Sequence, residues 1–582
     1  MSDAPDTDPD CDANRPDRRR FLTLLSATGV AGAVFAETLW ALAEPHGTIT
    51  KEMVAQAEQL AGLEFSDGER DMMLKGLADL RDDFAKIRTL ALANPVAPAL
   101  RFEPARLPAA KHAQKPLRLS RAPMPAVPSD LEELAFLPVT QLAQLVRKRK
   151  VSSLDLTRMY LSRLRRFDPV LHCVVTLTEE RALEQAKRAD RELAAGVYRG
   201  ALHGIPWGAK DLFAVKGYPT SWGAEPDKDQ VLDRDAAVVR RLDEAGAVLV
   251  AKLALGALAM GDVWHGGKTR NPWNPEEGSS GSSAGPAAAV AAGLVGFAIG
   301  TETRGSIISP CTRCGATGLR PTFGRVSRDG AMALSWSMDK VGPIARCVED
   351  CAAVFHAIQG AAGSEEPVAD VPFDWTSDLD VRRLRVGVLA AAFETKPEKE
   401  QEEWREFDLA TLKTLRSLGI KLIPIELPDL PTDALSFILT VEAAAAFDEL
   451  TRSKKDSTLS RQDVEAWPNT FRRARMIPAV EYVQANRVRT LLMRAMERVF
   501  AGLDAYVAPT FGNATLRITN LTGHPAVVVP NGFRKNGTPT SITFTGRLDG
   551  DAELLELAKA YQDATGFHLR HPPLKPQENT GT

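Results

Sequence analysis

One stretch of this 582-residue chain restricts its fold more than any other: Gly278-Ser279-Ser280-Gly281-Ser282-Ser283-Ala284-Gly285, running directly into Pro286-Ala287-Ala288-Ala289-Val290-Ala291-Ala292-Gly293. A helix of such small side chains has nothing to hold its neighbours away, so it predicts close packing deep inside a large core. The glycine and serine loop ahead of it lets backbone N–H groups and hydroxyls converge on one point. A flexible linker of similar composition would not lead at once into an apolar helix. The segment is therefore read as a site. It also contains G-x-S-x-G at 281–285, which nominates Ser283 as the nucleophile of an α/β-hydrolase elbow. That motif needs a strand immediately before it, whereas Asn271 through Glu277 reads as turn chemistry.

The remainder reads as an ordinary soluble enzyme body, with 44% hydrophobic and 25% charged residues. A net charge of -3 leaves no excess of cations for phosphates, so a nucleic-acid partner is not expected and a small neutral substrate is. The N-terminus departs from this. Arg18, Arg19 and Arg20 precede Phe21, Leu22 and an apolar run through Ala36, the pattern of a twin-arginine export signal over residues 1–43. Glu37 breaks the run short of the roughly 18 residues a spanning helix needs, although a retained anchor is the alternative. The A-x-A spacing of Ala41 and Ala43 places the cut after Ala43, with Ala36 as the other choice. The expected compartment is the oxidising periplasm. Cys11 leaves with the signal, and Cys173, Cys311, Cys314, Cys347 and Cys351 remain. Cys311-x-x-Cys314 and Cys347-x-x-x-Cys351 offer four thiolates to zinc but no clustered histidine, and buried small hydrophobes or an optional disulfide is the preferred reading. No motif for magnesium, zinc or a nucleotide is present, so no cofactor is expected.

After the signal, Ser66-x-x-Glu69 is a capping box, and Met73, Leu77, Leu80, Phe84 and Ile87 recur at helical spacing. Residues 49–93 are predicted to form a helical hairpin. Prolines from 95 to 128 make the next stretch an extended linker or wrapping arm, completing an extension over 44–130. The catalytic body is placed at 131–575, with a disordered tail at 576–582. Within the body a helix capped by Ser152 and running through Arg166, a strand from His172 to Leu177 and a helix from Glu179 to Ala195 come first. A strand at 247–250, another from Arg385 to Leu389, a helix from Glu398 to Leu418 and a strand from Ile420 to Ile425 follow. Such alternation predicts an α/β fold with a sheet covered by helices on both faces.

A second glycine and serine element, Gly300-Thr301-Glu302-Thr303-Arg304-Gly305-Ser306-Ile307-Ile308-Ser309-Pro310, follows the small-residue helix. A lysine ends Gly204-Ile205-Pro206-Trp207-Gly208-Ala209-Lys210-Asp211 upstream. In this order the three segments resemble the amidase signature family of serine amidohydrolases. The likeness extends through segments near residues 235–247, 317–322, 520–526 and 561–566. It implies a single large domain on a mixed, twisted β-sheet and a Ser-Ser-Lys triad. Residue by residue, it implies Lys210 as the base and Ser282 as a bridging serine preceded by a cis peptide. Ser306, 24 residues further on, is implied as the nucleophile. The backbone N–H groups of Thr303, Arg304, Gly305 and Ser306 would form the oxyanion hole. Two departures stand in that loop: Arg304 replaces a glycine and Glu302 an aspartate. In the serine loop, Ala284 replaces a glycine and Pro286 a serine. Arg304 is read either as a ligand for an anionic substrate group or as a surface salt bridge.

A buried lysine loses its proton more readily, so a neutral Lys210 can take a proton from Ser306 through the Ser282 hydroxyl. His203, His265 and His524 offer a rival Ser-His-Asp arrangement but read as structural or substrate-facing. The leading expectation is an exported amidase hydrolysing linear amides, small-molecule or peptide, through an acyl-enzyme. The alternatives are the glutaminase-type A subunit of a tRNA-dependent amidotransferase and a non-catalytic amidase-like binding protein. Candidate substrate-binding residues are Trp207, Met260, Ser283 and Arg304, with Trp264, His265 and residues 440–480 as further lining.

Overall fold

The computed structural model describes residues 48–90, 92, 98–100, 116–361, 368, 371–395 and 402–576. The expected export signal with Cys11, much of the proline-rich arm and the last six residues lie outside the described residues. The chain divides into two compact units, one up to Ala85 and one from Lys86 onward.

In the first unit, α1 (Lys51–Ala61) is capped by Thr50, whose hydroxyl accepts Met53 N–H at 3.3 Å, and ends at Gly62 with φ 65°. Helix α2 (Asp67–Arg88) starts at the capping box. Ser66 N–H donates to Glu69 Oε2 at 2.7 Å and Glu69 N–H to Ser66 Oγ at 3.4 Å. The helical hairpin is thus present over 51–88, and the buried Glu58 locks its turn by accepting Phe65 N–H and the Arg70 guanidinium.

The second unit is built on an eleven-stranded mixed sheet. In chain order its strands are β1 (Val174–Leu177), β2 (Pro206–Lys210), β3 (Val248–Leu253), β4 (Phe297–Glu302), β5 (Thr317–Arg320), β6 (Lys340–Ala345), β7 (Val386–Val388), β8 (Leu422–Pro424), β9 (Ala505–Pro509), β10 (Ala526–Phe533) and β11 (Pro539–Gly546). Across the sheet they run β1-β3-β2-β4-β6-β5-β10-β11-β9-β7-β8. The pairs β3/β2, β2/β4, β9/β7 and β7/β8 are parallel and the rest antiparallel. Helices flank it. Those that bear on the site are α3 (Ser153–Leu171), α4 (Glu179–Ala194), α5 (Ala284–Ala291), α6 (Ile308–Cys314), α7 (Val348–Ile358), α8 (Glu402–Ser417), α9 (Phe437–Ala446), α10 (Ala479–Val499) and α11 (Thr515–Thr522).

The two-residue period of a strand distributes side chains between two cores. On β3, Leu249 joins one hydrophobic cluster while Val248 and Val250 join the other. Helix α3 begins at the expected Ser152 cap, with Ser152 Oγ accepting Asp155 N–H at 2.9 Å, but runs past Arg166 to Leu171. Where the chain is described in the proline-rich arm it lies along the body: Arg118 bridges to Thr376, and Ser120 N–H donates to Glu349 of α7 at 2.5 Å.

The stretch read as turn chemistry before the serine loop is more ordered than that. Asn274–Gly278 pairs with Arg270–Asn271 as a short ribbon, because Asn271 Oδ1 accepts Trp273 N–H at 3.1 Å and tightens the reversal. Ser279 to Ser283 still separate this ribbon from α5, so no strand-to-helix elbow forms at Ser283. Every residue of α5 is buried, and Gly285 sits so close to the β3 side that an added Cβ would lie 2.5 Å from both Ala254 N and Cys173 O. Those are backbone atoms that cannot move aside. Gly285→Ala is therefore expected to cost about 1–3 kcal/mol, read as a lowered urea midpoint; an unchanged midpoint would contradict this contact.

Candidate active site

Lys210 is the last residue of β2, between β3 and β4, and is fully buried. Its Nζ meets Ser282 Oγ at 2.8 Å, Thr301 Oγ1 at 2.8 Å and Ser283 Oγ at 3.1 Å. All three partners are neutral hydroxyls. Burial disfavours the ammonium and brings the Lys210 pKa down to about 7, against the weaker opposing pull of Asp339 and Glu302.

The peptide bond between Gly281 and Ser282 is cis. Ser283 N–H donates to Ser306 O at 3.0 Å, which docks the second loop on the first. Ser306 is half-buried, and among the described residues its hydroxyl has no hydrogen-bond partner. The Ser283 hydroxyl is fully committed: besides Lys210, it donates to Thr301 O at 3.1 Å and accepts Thr301 N–H at 3.2 Å. That leaves it no face for a substrate, contrary to its candidacy as a binding residue.

Glu302 explains how the second loop holds its shape. Its Oε2 accepts Ile307 N–H at 2.9 Å and Ile308 N–H at 3.0 Å, at the start of α6, and its Oε1 pairs with Arg320 and Asn520 Nδ2, both at 2.8 Å. Burial alone would raise the Glu302 carboxyl, but Arg320, the Ile308 N–H and Asn520 outweigh it and hold it below the ordinary range. Gly305 has φ 103° and lies under Leu516 of α11, a position only glycine fills comfortably. Among the described residues, the N–H groups of Arg304, Gly305 and Ser306 have no protein acceptor. Thr303 Oγ1 donates to the buried Asp339 Oδ1 at 2.6 Å.

Arg304 is exposed and, among the described residues, has neither a hydrogen bond nor an ion pair, so the surface salt bridge is not formed. Arg517 and Asp433, themselves paired at 2.6 Å, are the charges that act on it.

Trp207 is not a lining residue. It lies three positions from Lys210 along β2, inside the core, with its ring 6.0 Å from Phe297. Met260 and His265 are half-buried, and Trp264 is buried with Nε1 donating to His172 O. The histidines are structural: His203 bonds Arg199 N and Ala189 O, and His524 bonds Thr522 Oγ1, stacks on Phe500 and is kept neutral by burial, its pKa near 3. His265 Nε2 contacts Ser221 Oγ, which donates to Asp211, whose other oxygen pairs with Lys252 at 2.7 Å. The five cysteines of the described residues are free and buried, and no cluster there could hold a metal.

Beside Thr301 and Thr303 opens a cleft of about 100 Å³, walled by Leu212, Ala259, Met332, Leu334, Asp339 and Val341. Thr301, Glu302 and Asp339 are the site residues whose roles sequence reasoning missed. Thr301 and Glu302 stood inside a recognised loop, whereas Asp339 carried no local signal.

Residues 155–555 match the Amidase family model, and the chain belongs to that family. It is an amidase signature amidohydrolase, an enzyme of amide C–N bonds. Among its relatives, the Glutamyl-tRNA(Gln) amidotransferase A subunit of Thermosynechococcus vestitus is 33% identical over 479 residues, 74% of this chain and 98% of that one. The native peptide amidase from Stenotrophomonas maltophilia is 30% identical, with a TM-score of 0.67 over 77% of this chain and all of that one. An amidase family protein from Bacillus anthracis is 26% identical, with a TM-score of 0.66 over 76% and 93% of the two chains.

Removing the Glu302 carboxylate strands a buried guanidinium. Glu302→Ala is expected to lose about 3–5 kcal/mol of stability, checked by thermal unfolding; a melting curve like that of the wild type would show that Arg320 finds another partner.

Proposed function

We propose that the protein hydrolyses carboxylic amides through a Ser-Ser-Lys relay, with Ser306 as nucleophile, Ser282 as bridge and Lys210 as base. The observation that carries this reading is the Lys210 amine: buried, ringed by hydroxyls and half deprotonated near neutrality. As Ser306 Oγ bonds to the amide carbon, its proton passes to Ser282 and the Ser282 proton to Lys210. A hydroxyl suits the bridge because it accepts and donates at once. The carbonyl oxygen takes the negative charge beside the N–H groups of residues 303–306, each such donor typically contributing about two to three orders of magnitude. Ser282 then returns a proton to the leaving nitrogen as the C–N bond breaks. Water repeats the sequence on the acyl ester and releases the acid. Arg304 stands two residues before Ser306 and is a candidate ligand for an anionic part of the substrate.

The substrate class is small-molecule or peptide amides. A glutaminase-type subunit of an amidotransferase is the second reading, favoured by the 33% identity to such subunits. A panel of amides assayed with and without an ammonia acceptor separates the two. The arginines at 18–20 support export to the periplasm. Replacing all three by lysine is expected to leave the protein in the cytoplasmic fraction, and unaltered fractionation would discard the signal.

A fluorophosphonate probe is expected to label Ser306, and Lys210→Ala to abolish labelling at neutral pH. Because the neutral amine is the working form, the labelling rate of the wild type is expected to rise with pH through about 7 and then level off. Peptide mapping and a pH series read both. Adduct on Ser283 instead of Ser306 would overturn the assignment.

A further inference from the structure

We propose that Arg304, joined by Arg517, is a carboxylate-binding site at the entrance to the active site, so that the amide this protein hydrolyses carries a carboxylate several bonds from its reacting carbon. The inference rests on the reading of Ser306 as nucleophile, two residues further along the loop. It concerns a position at which the chain departs from the family pattern, where a glycine stands, so the site belongs to this chain and not to the family at large.

The contact between the loop and α11 places the two arginines. Gly305, at φ 103°, leaves only 3.1 Å between an added Cβ and Leu516 Cδ2. Arg304 flanks this contact on the loop and Arg517 flanks it on the helix, so both guanidiniums belong to one edge of the site. Thr303 turns the other way, its hydroxyl donating to Asp339 at 2.6 Å. Arg304 is exposed, whereas Ser306 of the same loop is half-buried.

The charges at this edge are not balanced. Arg517 uses Nη1 on Asp433 at 2.6 Å and Nε on Thr432 Oγ1 at 3.1 Å, which fixes its guanidinium. Among the described residues its Nη2 has no partner, and the Arg304 guanidinium has none at all. Of the charges that act on Arg304, Arg517 outweighs Asp433. Two guanidiniums thus share one carboxylate, and the surplus is local, in a chain whose net charge is -3. Like charges held close repel, and an anion between them relieves the repulsion. The Asp433 side chain is 76% exposed, so its pair with Arg517 is weak enough to be shared with an incoming carboxylate or replaced by it.

Guanidinium chemistry sets the class of ligand. Its planar fork offers parallel N–H donors that match the two oxygens of a carboxylate. The length of the arginine side chain puts that anion at a distance from Ser306 Oγ, at the far end of a short chain on the acyl side or on the leaving amine. A cationic group beside the carboxylate weakens the attraction, so glutaramate, which is glutamine without its ammonium, fits better than glutamine.

The test is kcat/KM of the wild type, Arg304→Gln, Arg304→Lys and Arg517→Gln on two matched pairs. Glutaramate against pentanamide carries the charge on the acyl side, and N-acetyl-β-alanine against N-propylacetamide carries it on the leaving amine. The wild type is expected to favour the charged member of one pair by about tenfold or more, the scale of a hydrogen bond to a charged group, and the pair that shows it tells which side of the amide meets Arg304. Arg304→Gln is expected to abolish that preference, chiefly through KM, because the carboxylate is held alike in the ground and transition states. Arg304→Lys is expected to keep part of it and Arg517→Gln to lower it, as does high salt, which screens exposed charges. Each ratio is taken within one variant, so a loss of folding or of kcat common to both members cancels. No preference in either pair, a preference that Arg304→Gln leaves unmoved, or L-glutamine turned over faster than glutaramate overturns the carboxylate site. If Ser306 is labelled but none of these amides turns over, protection from labelling decides: glutaramate or N-acetyl-β-alanine must protect at lower concentration than its neutral partner. An unlabelled Ser306 without turnover overturns the parent reading and this one together.

Discussion

The burial of Lys210 is the constraint on which the site depends. Removing an ammonium from water is costly, and a protein ordinarily offsets it with a carboxylate. Here the amine at the end of β2 is met by the hydroxyls of Ser282, Ser283 and Thr301, which accept from either protonation state and neutralise neither. Asp339 and Glu302 act on it only from a distance. The outcome is an amine whose proton is held weakly at neutral pH. Had an aspartate taken the place of one hydroxyl, the ammonium would have been locked in.

That arrangement needs the serine loop to come very close to β2 and β4, and the small residues of α5 make this possible. Gly285 nearly touches the backbone at Ala254 and Cys173, and Gly300 on β4 approaches Ser283. The second loop is held by a different device, a fully buried ion pair between Glu302 and Arg320. Buried pairs add little net stability, but a carboxylate that also caps Ile307 and Ile308 fixes where the chain turns. The extra methylene of glutamate over aspartate is accommodated by this reach to α6 and to Asn520.

The same geometry connects the loop to its surroundings. Thr303 reaches Asp339, Asp339 secures the segment 334–339, and Glu442 and Arg489 secure its other side. The loop of residues 303–306, the cleft and the α9–α10 layer are therefore joined by one run of satisfied polar groups. Such networks specify a single arrangement, since each partial alternative leaves a buried group unpaired.

Local sequence by itself determined the elements whose signals span a few residues: the Ser66–Glu69 box, the Ser152 cap, the small-residue helix, and the three segments bearing Lys210, Ser282 and Ser306. The box, the cap and the helix follow from propensity and capping, which neighbouring residues encode, and the three segments from their resemblance to the amidase signature pattern. Only the tertiary structure decided what each side chain meets. Trp207 turns inward although it sits in the lysine segment, because strand alternation sends it to the face opposite the site. Ser283, one residue from Ser282, is consumed by Thr301. Glu302 finds Asn520, Ser337 finds Arg489 and Ser335 finds Glu442, all separated by more than a hundred positions along the chain. No periodicity carries such pairings, because they arise when an eleven-stranded sheet brings distant loops to one edge and buried polar groups must find partners there.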